Sequence, residues 1–372
     1  MSTAAPVWSG ANVSVEEVLR QLKVLRSGAS GSPRSSVLDL IIVASDAPEA
    51  EAAAAAVERL MTRHPCRVLV VLDEPGAGPS RIDVTITELG RSAPDGMASG
   101  NEQVFLRVRG PAAQHIPGLV DSLLLTDVAT YVWWTGSPPL RGARFLSTLE
   151  AADVLLFDSA RFERPYESFT ALADVAAGSS TTTFGDFHWT RLGPWREVLA
   201  QFFNPVERRG FLRGIGAVAV DYIAEGRGNR CAAVLLAGWL GSALGWRLKS
   251  AAAGRGGVLA AHLVSPDGHP VQIDLRPAAM EGFAAGEITG VRIDAAWQGD
   301  LCRLHALRDE ADNGHVVVEG ELRGSPFPRL VLPVPAMVDE AVLGRLLRDA
   351  RADRAYPRAL QSGAELLRSA RT

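Results

Sequence analysis

The sequence predicts an α/β protein in two domains: an N-terminal doubly wound mixed sheet with helices, and a C-terminal α+β domain with an antiparallel sheet. In the first half, apolar β-branched runs alternate with helical segments, as in a sheet with helices on both faces. In the second half, short alternating segments follow one another across turn dipeptides. The length of 372 residues fits two or three domains at roughly 100–200 residues each. We expect an α/β domain over residues 1–205 and an α+β domain over residues 206–372.

Two apolar runs near the N-terminus predict the centre of the first sheet. Residues 37–44 are apolar except for Asp39, and residues 66–72 form a second β-branched run, which is typical of strands buried on both faces. An alanine-rich helical segment over residues 48–63 separates them. A crossover of this length joins parallel strands, so we expect the two runs to pair in parallel.

The rest of the N-terminal half continues the alternation of strands and helices. Residues 81–89 and 102–108 alternate between apolar and polar side chains, which predicts an antiparallel pair of half-buried strands. Further segments are predicted as strands at residues 130–134 and 154–157, a loop at residues 179–184, and helices at residues 13–25, 111–125, 141–150, 166–177 and 194–203. The first of these helices begins with Ser14 as its N-cap and Glu17 as the capping-box partner.

The C-terminal half has a different texture. A strand is predicted at residues 212–224 and a buried helix at residues 229–246. Short alternating strands are predicted at residues 258–264, 271–275, 288–293, 301–307, 315–319 and 329–331. The dipeptides Asp267-Gly268 and Asn313-Gly314 between them are strong hairpin signals. Helices at residues 338–349 and 355–370 close the chain.

Composition excludes several classes of protein. The hydrophobic share of 47% and charged share of 22% are those of a globular chain. A net charge of −4 argues against general nucleic-acid binding. The first residues show no signal-peptide pattern, and the longest apolar run, residues 231–246, is shorter than the ~20 residues that span a bilayer. We therefore expect a cytoplasmic protein without membrane or nucleic-acid partners.

The usual phosphate-binding and nucleophile motifs are missing. The sequence contains no G-x-x-x-x-G-K-[ST], no G-x-S-x-G and no H-E-x-x-H. Residues 226–231 begin like a dinucleotide fingerprint, but Cys231 stands in place of its third glycine. The turn after the first buried strand, residues 45–48, contains no glycine. No cofactor is predicted.

Three short constellations have both a chemical and a bland interpretation. Asp158-Ser159 follows a buried strand, where it is either a helix cap or part of a catalytic site, and no partner histidine is identified. The spacings Asp186-x-His188 and Cys302-x-x-His305 could each supply two metal ligands, but the sequence places no third ligand near either. We therefore predict neither a catalytic residue nor a metal site.

Aromatic residues form the densest signal. Trp133-Trp134 ends a predicted strand, and residues 187–196 read Phe-His-Trp-Thr-Arg-Leu-Gly-Pro-Trp-Arg. One interpretation is packing in the core and at a domain junction, since tryptophan is highly buried on average. The other is a protein interface, because tryptophan and arginine dominate binding hot spots and stack on one another.

Five segments carry a more specific pattern. Residues 127–139 contain Trp-Trp-Thr-Gly-Ser-Pro-Pro. The others are Asp158-Ser159, Asp-Phe-His-Trp-Thr-Arg-Leu-Gly-Pro-Trp-Arg at residues 186–196, Leu-Leu-Ala-Gly-Trp-Leu-Gly-Ser-Ala-Leu-Gly-Trp at residues 235–246, and Asp-Arg-Ala-Tyr-Pro-Arg-Ala-Leu at residues 353–360. Together they resemble the glucose-6-phosphate dehydrogenase assembly proteins, the OpcA family, over most of the chain. One departure is Ala129, where the family pattern has proline.

This resemblance implies a non-enzymatic partner of glucose-6-phosphate dehydrogenase. Such proteins promote assembly or allosteric activation of the dehydrogenase, and hence flux through the oxidative pentose phosphate pathway. Redox control through cysteines is described for cyanobacterial members. Here Cys66, Cys231 and Cys302 lie far apart in sequence, so thioredoxin-type control is not predicted.

Two hypotheses therefore stand at the level of sequence. The first is a protein–protein interaction surface on the dehydrogenase, with candidate partner-binding residues Trp133, Trp134, Trp189, Arg191, Trp195, Arg196, Arg351 and Arg354. The last two belong to a row of arginines spaced three or four apart, namely Arg345, Arg348, Arg351, Arg354 and Arg358, which is either a contact surface or a solvated helix face. The alternative is a sugar-phosphate or nucleotide-binding enzyme with a site assembled from scattered residues, first among them Asp158, His188, Arg191 and Arg196.

Overall fold

The computed structural model describes residues 6–28, 37–60, 66–76, 78–89, 101–125, 127–224, 229–309 and 311–371. It contains two sheets with associated helices, which confirms the predicted α/β class. The chain divides into two compact units. The N-terminal unit consists of Met1–Asp158, Ser179–Gly185 and Asp339–Arg351, and the C-terminal unit consists of Ser159–Gly178, Asp186–Val338 and Ala352–Thr372. The domain boundary expected near residue 205 stays a prediction.

The first sheet has a largely parallel centre. Its strands are β1 (Pro6–Gly10), β2 (Leu38–Ala44), β3 (Cys66–Glu74), β4 (Arg81–Leu89), β5 (Asn101–Arg109), β6 (Ala129–Trp134), β7 (Val154–Phe157) and β8 (Thr183–Asp186). They lie in the order β1-β4-β5-β3-β2-β6-β7-β8. Strands β5, β3, β2, β6 and β7 are parallel neighbours, whereas β4 pairs antiparallel with both β5 and β1. Both predicted pairings, the parallel βαβ unit and the antiparallel pair, are confirmed.

Two buried polar groups in the central strands have specific partners. Asp39 lies in β2, and its carboxylate accepts a hydrogen bond of 2.6 Å from the backbone amide of Leu125. Arg67 lies beside it on β3, where its Nε donates to Glu102 at 2.7 Å and its guanidinium also donates to the carbonyl of Leu123. Strands that are otherwise apolar tolerate these charges because each is hydrogen-bonded.

Most of the helices lie at the predicted positions. The helices are α1 (Val15–Gly28), α2 (Ala47–Leu60), α3 (Ile116–Asp121), α4 (Ala143–Glu150), α5 (Pro165–Gly178), α6 (Phe187–Arg191), α7 (Gly193–Phe203), α8 (Val206–Arg209), α9 (Cys231–Leu244), α10 (Asp339–Asp349) and α11 (Ala355–Ser369). The short helices α6 and α8 were not predicted. The hydroxyl of Ser14 accepts from the amide of Glu17 at 3.2 Å, which confirms the predicted cap of α1. The helix expected at residues 111–125 is divided into a 3₁₀ turn, Gly110–His115, and α3, each with a proline at its start.

The second sheet is mostly antiparallel. Its strands are β9 (Ile215–Ile223), β10 (Arg247–Ala253), β11 (Leu259–Val264), β12 (Pro270–Ala278), β13 (Ile288–Trp297), β14 (Asp300–Arg308), β15 (His315–Leu322), β16 (Ser325–Pro326) and β17 (Leu330–Pro333). They lie in the order β10-β11-β12-β9-β13-β14-β15-β16, with β17 also paired to β15. The hairpins predicted from Asp267-Gly268 and Asn313-Gly314 join β11 to β12 and β14 to β15.

Three features of the sheets differ from the prediction. Strands β9 and β12 pair in parallel, so the second sheet is not purely antiparallel. The chain leaves β9 through α9 and returns to its side through the β10–β12 meander, which brings β12 back in the same direction. Residues 179–184, expected to be a loop, contribute to β8, and the strands β1, β10 and β16 were not predicted. These strands are mostly exposed and lack the apolar pattern on which the prediction depends.

Two glycines allow α9 and α11 to pack closely. A Cβ on Gly238 would lie 2.2 Å from the carbonyl oxygen of Ala359 and 2.7 Å from the amide nitrogen of Gly363. A Cβ on Gly363 would lie 2.7 Å from the side chain of Val234. The predicted helix is therefore buried at this contact. It ends at Leu244, and Gly245 caps it in the left-handed conformation with φ +69°.

Candidate functional site

The tryptophan–arginine block, residues 187–196, forms a cluster inside the C-terminal unit. Trp189 lies in α6 and is 2% exposed, and its indole Nε1 donates to Oδ2 of Asp353 at 2.6 Å. The guanidinium carbon of Arg196, in α7, lies 3.6 Å from the centre of the Trp189 ring. The other oxygen of Asp353 accepts from the amides of Ala355 and Tyr356 at the start of α11. The block thus links three helices through one stacked arginine and one carboxylate.

Burial lowers the pKa of the arginine in this cluster, but the arginine keeps its positive charge. Desolvation lowers the pKa of Arg196 to about 10, and the nearby Asp353 opposes that shift. Arg196 therefore remains a cation at neutral pH, stacked on the indole face as cation–π attraction requires. Tyr356 also contacts Trp189, with 5.7 Å between the ring centres.

A second stacked arginine holds Trp195. This tryptophan is 2% exposed, and Arg308 of β14 lies 5.4 Å from its ring centre and 5.4 Å from that of Phe283. Nη1 of Arg308 donates to the carbonyls of Asn313 at 2.9 Å and Val334 at 2.6 Å. Burial lowers the pKa of Arg308 below its ordinary value.

The remaining candidate partner-binding residues lie in different surroundings. Trp133 is buried in β6, and Trp134 is half-buried with an edge-on contact to Phe145 at 5.6 Å between ring centres. Arg191 is half-buried, 5.9 Å from the ring of Phe187. The arginines of the C-terminal row are exposed: Arg345, Arg348 and Arg351 in the N-terminal unit, and Arg354 and Arg358 in the C-terminal unit.

A buried polar cluster joins residues that the sequence did not pair. Ser159 Oγ lies 3.3 Å from Nδ1 of His188, although 29 positions separate them. Asp186 Oδ1 accepts from the amides of Ser159 at 3.0 Å and His188 at 2.9 Å. Nδ2 of Asn229 donates to the carbonyls of Ser159 and Ala160, both at 2.9 Å. A signal existed, since Ser159 and Asp186 come where buried strands end and such ends commonly carry functional groups.

The cluster has part of the composition of a catalytic triad but is enclosed. Ser159 is 0%, Asp186 1% and His188 5% exposed. In the contacts above, Asp186 caps backbone amides at the start of α6, and Asn229 holds the turn that contains Ser159. An outside substrate reaches such a serine only after the surrounding chain opens. The geometry is that of a hydrogen-bonded joint between α6, the turn Ser159–Arg161 and the start of α9.

The metal-ligand candidates do not assemble a site. In the part of the chain that the structure describes, no three histidine, cysteine, aspartate or glutamate side chains are grouped so as to hold a metal ion. The three cysteines are buried free thiols. Burial raises the pKa of Cys66 to about 12 and of Cys302 to about 11, so both remain protonated and poorly nucleophilic at neutral pH.

The switch point of the first sheet also carries polar groups. Strand order reverses between β2 and β6, and α2 begins directly after β2. Asp46 Oδ1 accepts from the amide of Glu49 at 2.8 Å at the start of α2. The hydroxyl of Thr135, just beyond β6, donates to Oε2 of Glu49 at 3.0 Å.

Among the described residues, no helix is both long and apolar enough to cross a membrane.

Sequence comparison identifies relatives in Synechocystis and Synechococcus, among other organisms. The chain is 30% identical over 197 residues to a protein of Synechocystis sp. that is provisionally named OxPP cycle protein OpcA, covering 52% of this chain and 40% of the relative. A protein of Synechococcus elongatus with the same name is 27% identical over 239 residues, covering 63% and 53%. The chain thus spans about half the length of the curated relatives it matches.

Structural comparison identifies the fold. An NAD binding oxidoreductase from Klebsiella pneumoniae matches with a TM-score of 0.54 and 11% identity, covering 91% of this chain and 96% of that one. An oxidoreductase from Sinorhizobium meliloti matches with a TM-score of 0.51 and 13% identity, covering 90% and 96%. At such identities the likeness concerns the fold alone.

Two family models match the chain in succession. Residues 57–174 match the glucose-6-phosphate dehydrogenase subunit N-terminal domain, and residues 182–360 match the C-terminal domain of the same subunit. The tryptophan pair of β6 lies in the first match, and the Trp189–Arg196–Asp353 cluster lies in the second. The chain belongs to the glucose-6-phosphate dehydrogenase assembly protein (OpcA) family.

Proposed function

We propose that this protein is a non-catalytic partner of glucose-6-phosphate dehydrogenase, which it binds in the cytoplasm and holds in its assembled, active state. Its role would be to support the oxidative pentose phosphate pathway. The observation that carries the proposal is the match of both halves to models described as a subunit of that dehydrogenase. The names of the relatives point to the same pathway.

The mechanism is a difference in affinity for two states of the dehydrogenase. A partner shifts an equilibrium only by as much as it prefers one state over the other. A rigid surface makes such a preference possible, and the stacked clusters of Trp189 with Arg196 and of Trp195 with Arg308 stiffen the C-terminal unit from within. In this proposal the buried tryptophans support the binding surface rather than touch the partner.

The contacts themselves are assigned to exposed arginines. Arg351 and Arg354 are exposed, and the sequence predicts both as partner-binding residues. Arginine is enriched at binding hot spots and pairs bidentately with carboxylates. We propose that each of the two units presents its exposed arginines to acidic side chains of the dehydrogenase.

Co-purification with the host's glucose-6-phosphate dehydrogenase tests the proposal. We expect a complex on size-exclusion chromatography and a lower KM for glucose 6-phosphate, or a larger assembled fraction, when the two proteins are mixed at micromolar concentration. Absence of both association and kinetic effect contradicts the proposal. Turnover of glucose 6-phosphate by this protein alone would favour the alternative of a sugar-phosphate enzyme.

Charge-reversal variants test the assigned contacts. The double variant Arg351→Glu and Arg354→Glu should weaken binding about tenfold, since two rim charges contribute about 0.7 kcal/mol each. The double variant Arg247→Glu and Arg255→Glu, at two exposed arginines elsewhere in the C-terminal unit, changes the net charge equally and is the matched control. Equal loss of affinity in both double variants would show that net charge, and not these contacts, governs binding.

A further inference from the structure

The strand order of the first sheet is that of a dinucleotide-binding domain. Across the sheet, six of its strands lie in the order β5, β3, β2, β6, β7, β8. Numbered 1 to 6 by their order in the chain, they lie in the order 3-2-1-4-5-6, which is that of doubly wound domains that bind dinucleotides. The crevice lies where the order reverses, at the carboxyl ends of β2 and β6. In such domains the pyrophosphate sits on the N-terminus of the helix that follows the first strand, which here is α2.

The start of α2 lacks the groups that hold a pyrophosphate. The turn Ser45-Asp46-Ala47-Pro48 contains no glycine, so the backbone cannot approach a phosphate closely. Pro48 has no amide hydrogen, and the amide of Glu49 is already bound by Asp46 at 2.8 Å. The amide of Ala50 donates to the carbonyl of Asp46 at 3.1 Å. Positions 48, 49 and 50 of this helix end therefore offer no open amide to an anion.

A carboxylate occupies the same corner. Oε2 of Glu49 accepts from the Thr135 hydroxyl at 3.0 Å, and a Cβ on Gly136 would lie 3.5 Å from that oxygen. The amide of Thr135 donates to the carbonyl of Val43 at 3.1 Å, so this residue is fixed to the end of β2 as well. Glu49 thereby connects the two sides of the reversal point, where a bound phosphate would otherwise connect them.

The groups suited to ribose recognition are also engaged. Dinucleotide domains use an acidic residue at the end of the second strand of the fold, and here β3 ends in Glu74. Arg107 donates to both oxygens of Glu74, at 2.7 and 2.9 Å, and Arg109 adds a third bond at 3.1 Å. Glu74 and its arginines satisfy one another, which leaves neither sign of charge uncompensated for a ribose or its phosphate.

We infer that this chain retains a dinucleotide-binding fold whose cofactor crevice is closed by Glu49, an internal anion in the place of the pyrophosphate. The residues present do not fit NAD or NADP. Two carboxylates, Asp46 and Glu49, lie at the start of α2, the helix end that holds the pyrophosphate in such domains, and their negative charges repel a phosphate. The inference concerns the N-terminal unit alone and is independent of binding to the dehydrogenase.

Ligand titration of the full chain tests the inference. By isothermal calorimetry we expect no binding of NAD⁺, NADP⁺ or inorganic pyrophosphate by the wild type with Kd below about 1 mM. Glu49→Gln keeps an acceptor for Thr135 but loses the charge, and we expect it to bind pyrophosphate at least about tenfold more tightly than the wild type. Circular dichroism checks that the variant is folded.

Glu51→Gln is the matched control, because Glu51 is an exposed residue of the same helix and its loss changes net charge equally. It should leave pyrophosphate affinity at the wild-type level. Micromolar binding of NAD⁺ or NADP⁺ by the wild type overturns the inference. An equal gain in Glu51→Gln, or no gain in a folded Glu49→Gln, overturns the role of the Glu49 carboxylate.

Discussion

The two sheets bury their strands in different ways. Every position of β2 is buried, and β3 is buried up to its last two residues, so the centre of the first sheet has no solvent face. Strands β11 and β12 instead alternate between buried and accessible positions. The first sheet is typical of parallel sheets covered on both sides, and the second of sheets with one solvated face. Side chains that can reach a ligand or partner therefore lie at the strand ends in the first sheet, whereas in the second sheet they can also lie on a strand face.

Ion pairs show the same contrast. Arg67 and Glu102 in the first sheet are only 3% and 7% exposed. On the accessible face of the second sheet, Asp221 binds Arg276 and Arg292, and all three residues are half-buried. Identical chemistry should thus have unequal energetic weight, because water screens the second group and not the first.

The largest effect is expected for Arg67→Ala. It leaves the carboxylate of Glu102 buried without its cation, and we expect the free energy of unfolding to fall by about 3–5 kcal/mol in urea denaturation. The double variant Arg67→Met with Glu102→Leu removes both charges and should recover most of that loss. A single variant within about 1 kcal/mol of the wild type would contradict this description of the N-terminal sheet.

Gly238→Ala tests the helix contact that encloses the C-terminal unit. The added methyl would meet the backbone of α11 at 2.2 Å, so we expect a loss of about 1–3 kcal/mol in thermal or urea unfolding. Gly216→Ala, on an exposed position of β9 with nothing within 4 Å, is the control and should change stability little. Equal losses in both variants would mean that α9 and α11 do not pack as closely as described.

Asp221→Asn tests the solvated face. Two half-exposed arginines lose their shared carboxylate, and we expect a loss of about 1 kcal/mol that shrinks as salt is raised towards 1 M. Asp294→Asn, exposed on the neighbouring strand β13, is the control. A loss independent of salt would place Asp221 among the buried ion pairs instead.

The smallest effect is expected for Glu74→Gln and concerns pH. Hydrogen bonds from Arg107, supported by Arg109, hold the pKa of Glu74 below its ordinary value of 4.5. A pKa lowered by folding adds stability above the unfolded value and loses it as pH falls through the folded value. Glu74→Gln should therefore lower stability by a few tenths of a kcal/mol near neutral pH and show a shallower decline below about pH 4.5. The decline should be unchanged in Glu51→Gln.

Much of the fold could be predicted because its signals are local. The continuous runs around β2 and β3, the capping pair Ser14 and Glu17, and the two hairpin dipeptides each act within a few residues, and each prediction was confirmed. Edge strand β10 could not be predicted because its side chains are mostly accessible and show no apolar periodicity. The parallel pairing of β9 with β12 could not be predicted because the path of the chain between the two strands, not their sequence, decides whether they run in the same direction.

The candidate sites divide along the same line. The sequence by itself determined the α/β class, the dense tryptophan–arginine block and membership of the family, since these depend on composition, periodicity and contiguous motifs. Only the tertiary structure placed Trp189 on Asp353, 164 positions away, and the Thr135 hydroxyl on Glu49, 86 positions away. Such contacts arise when the packing of whole helices and strands brings distant side chains together, and local spacing carries no record of that packing.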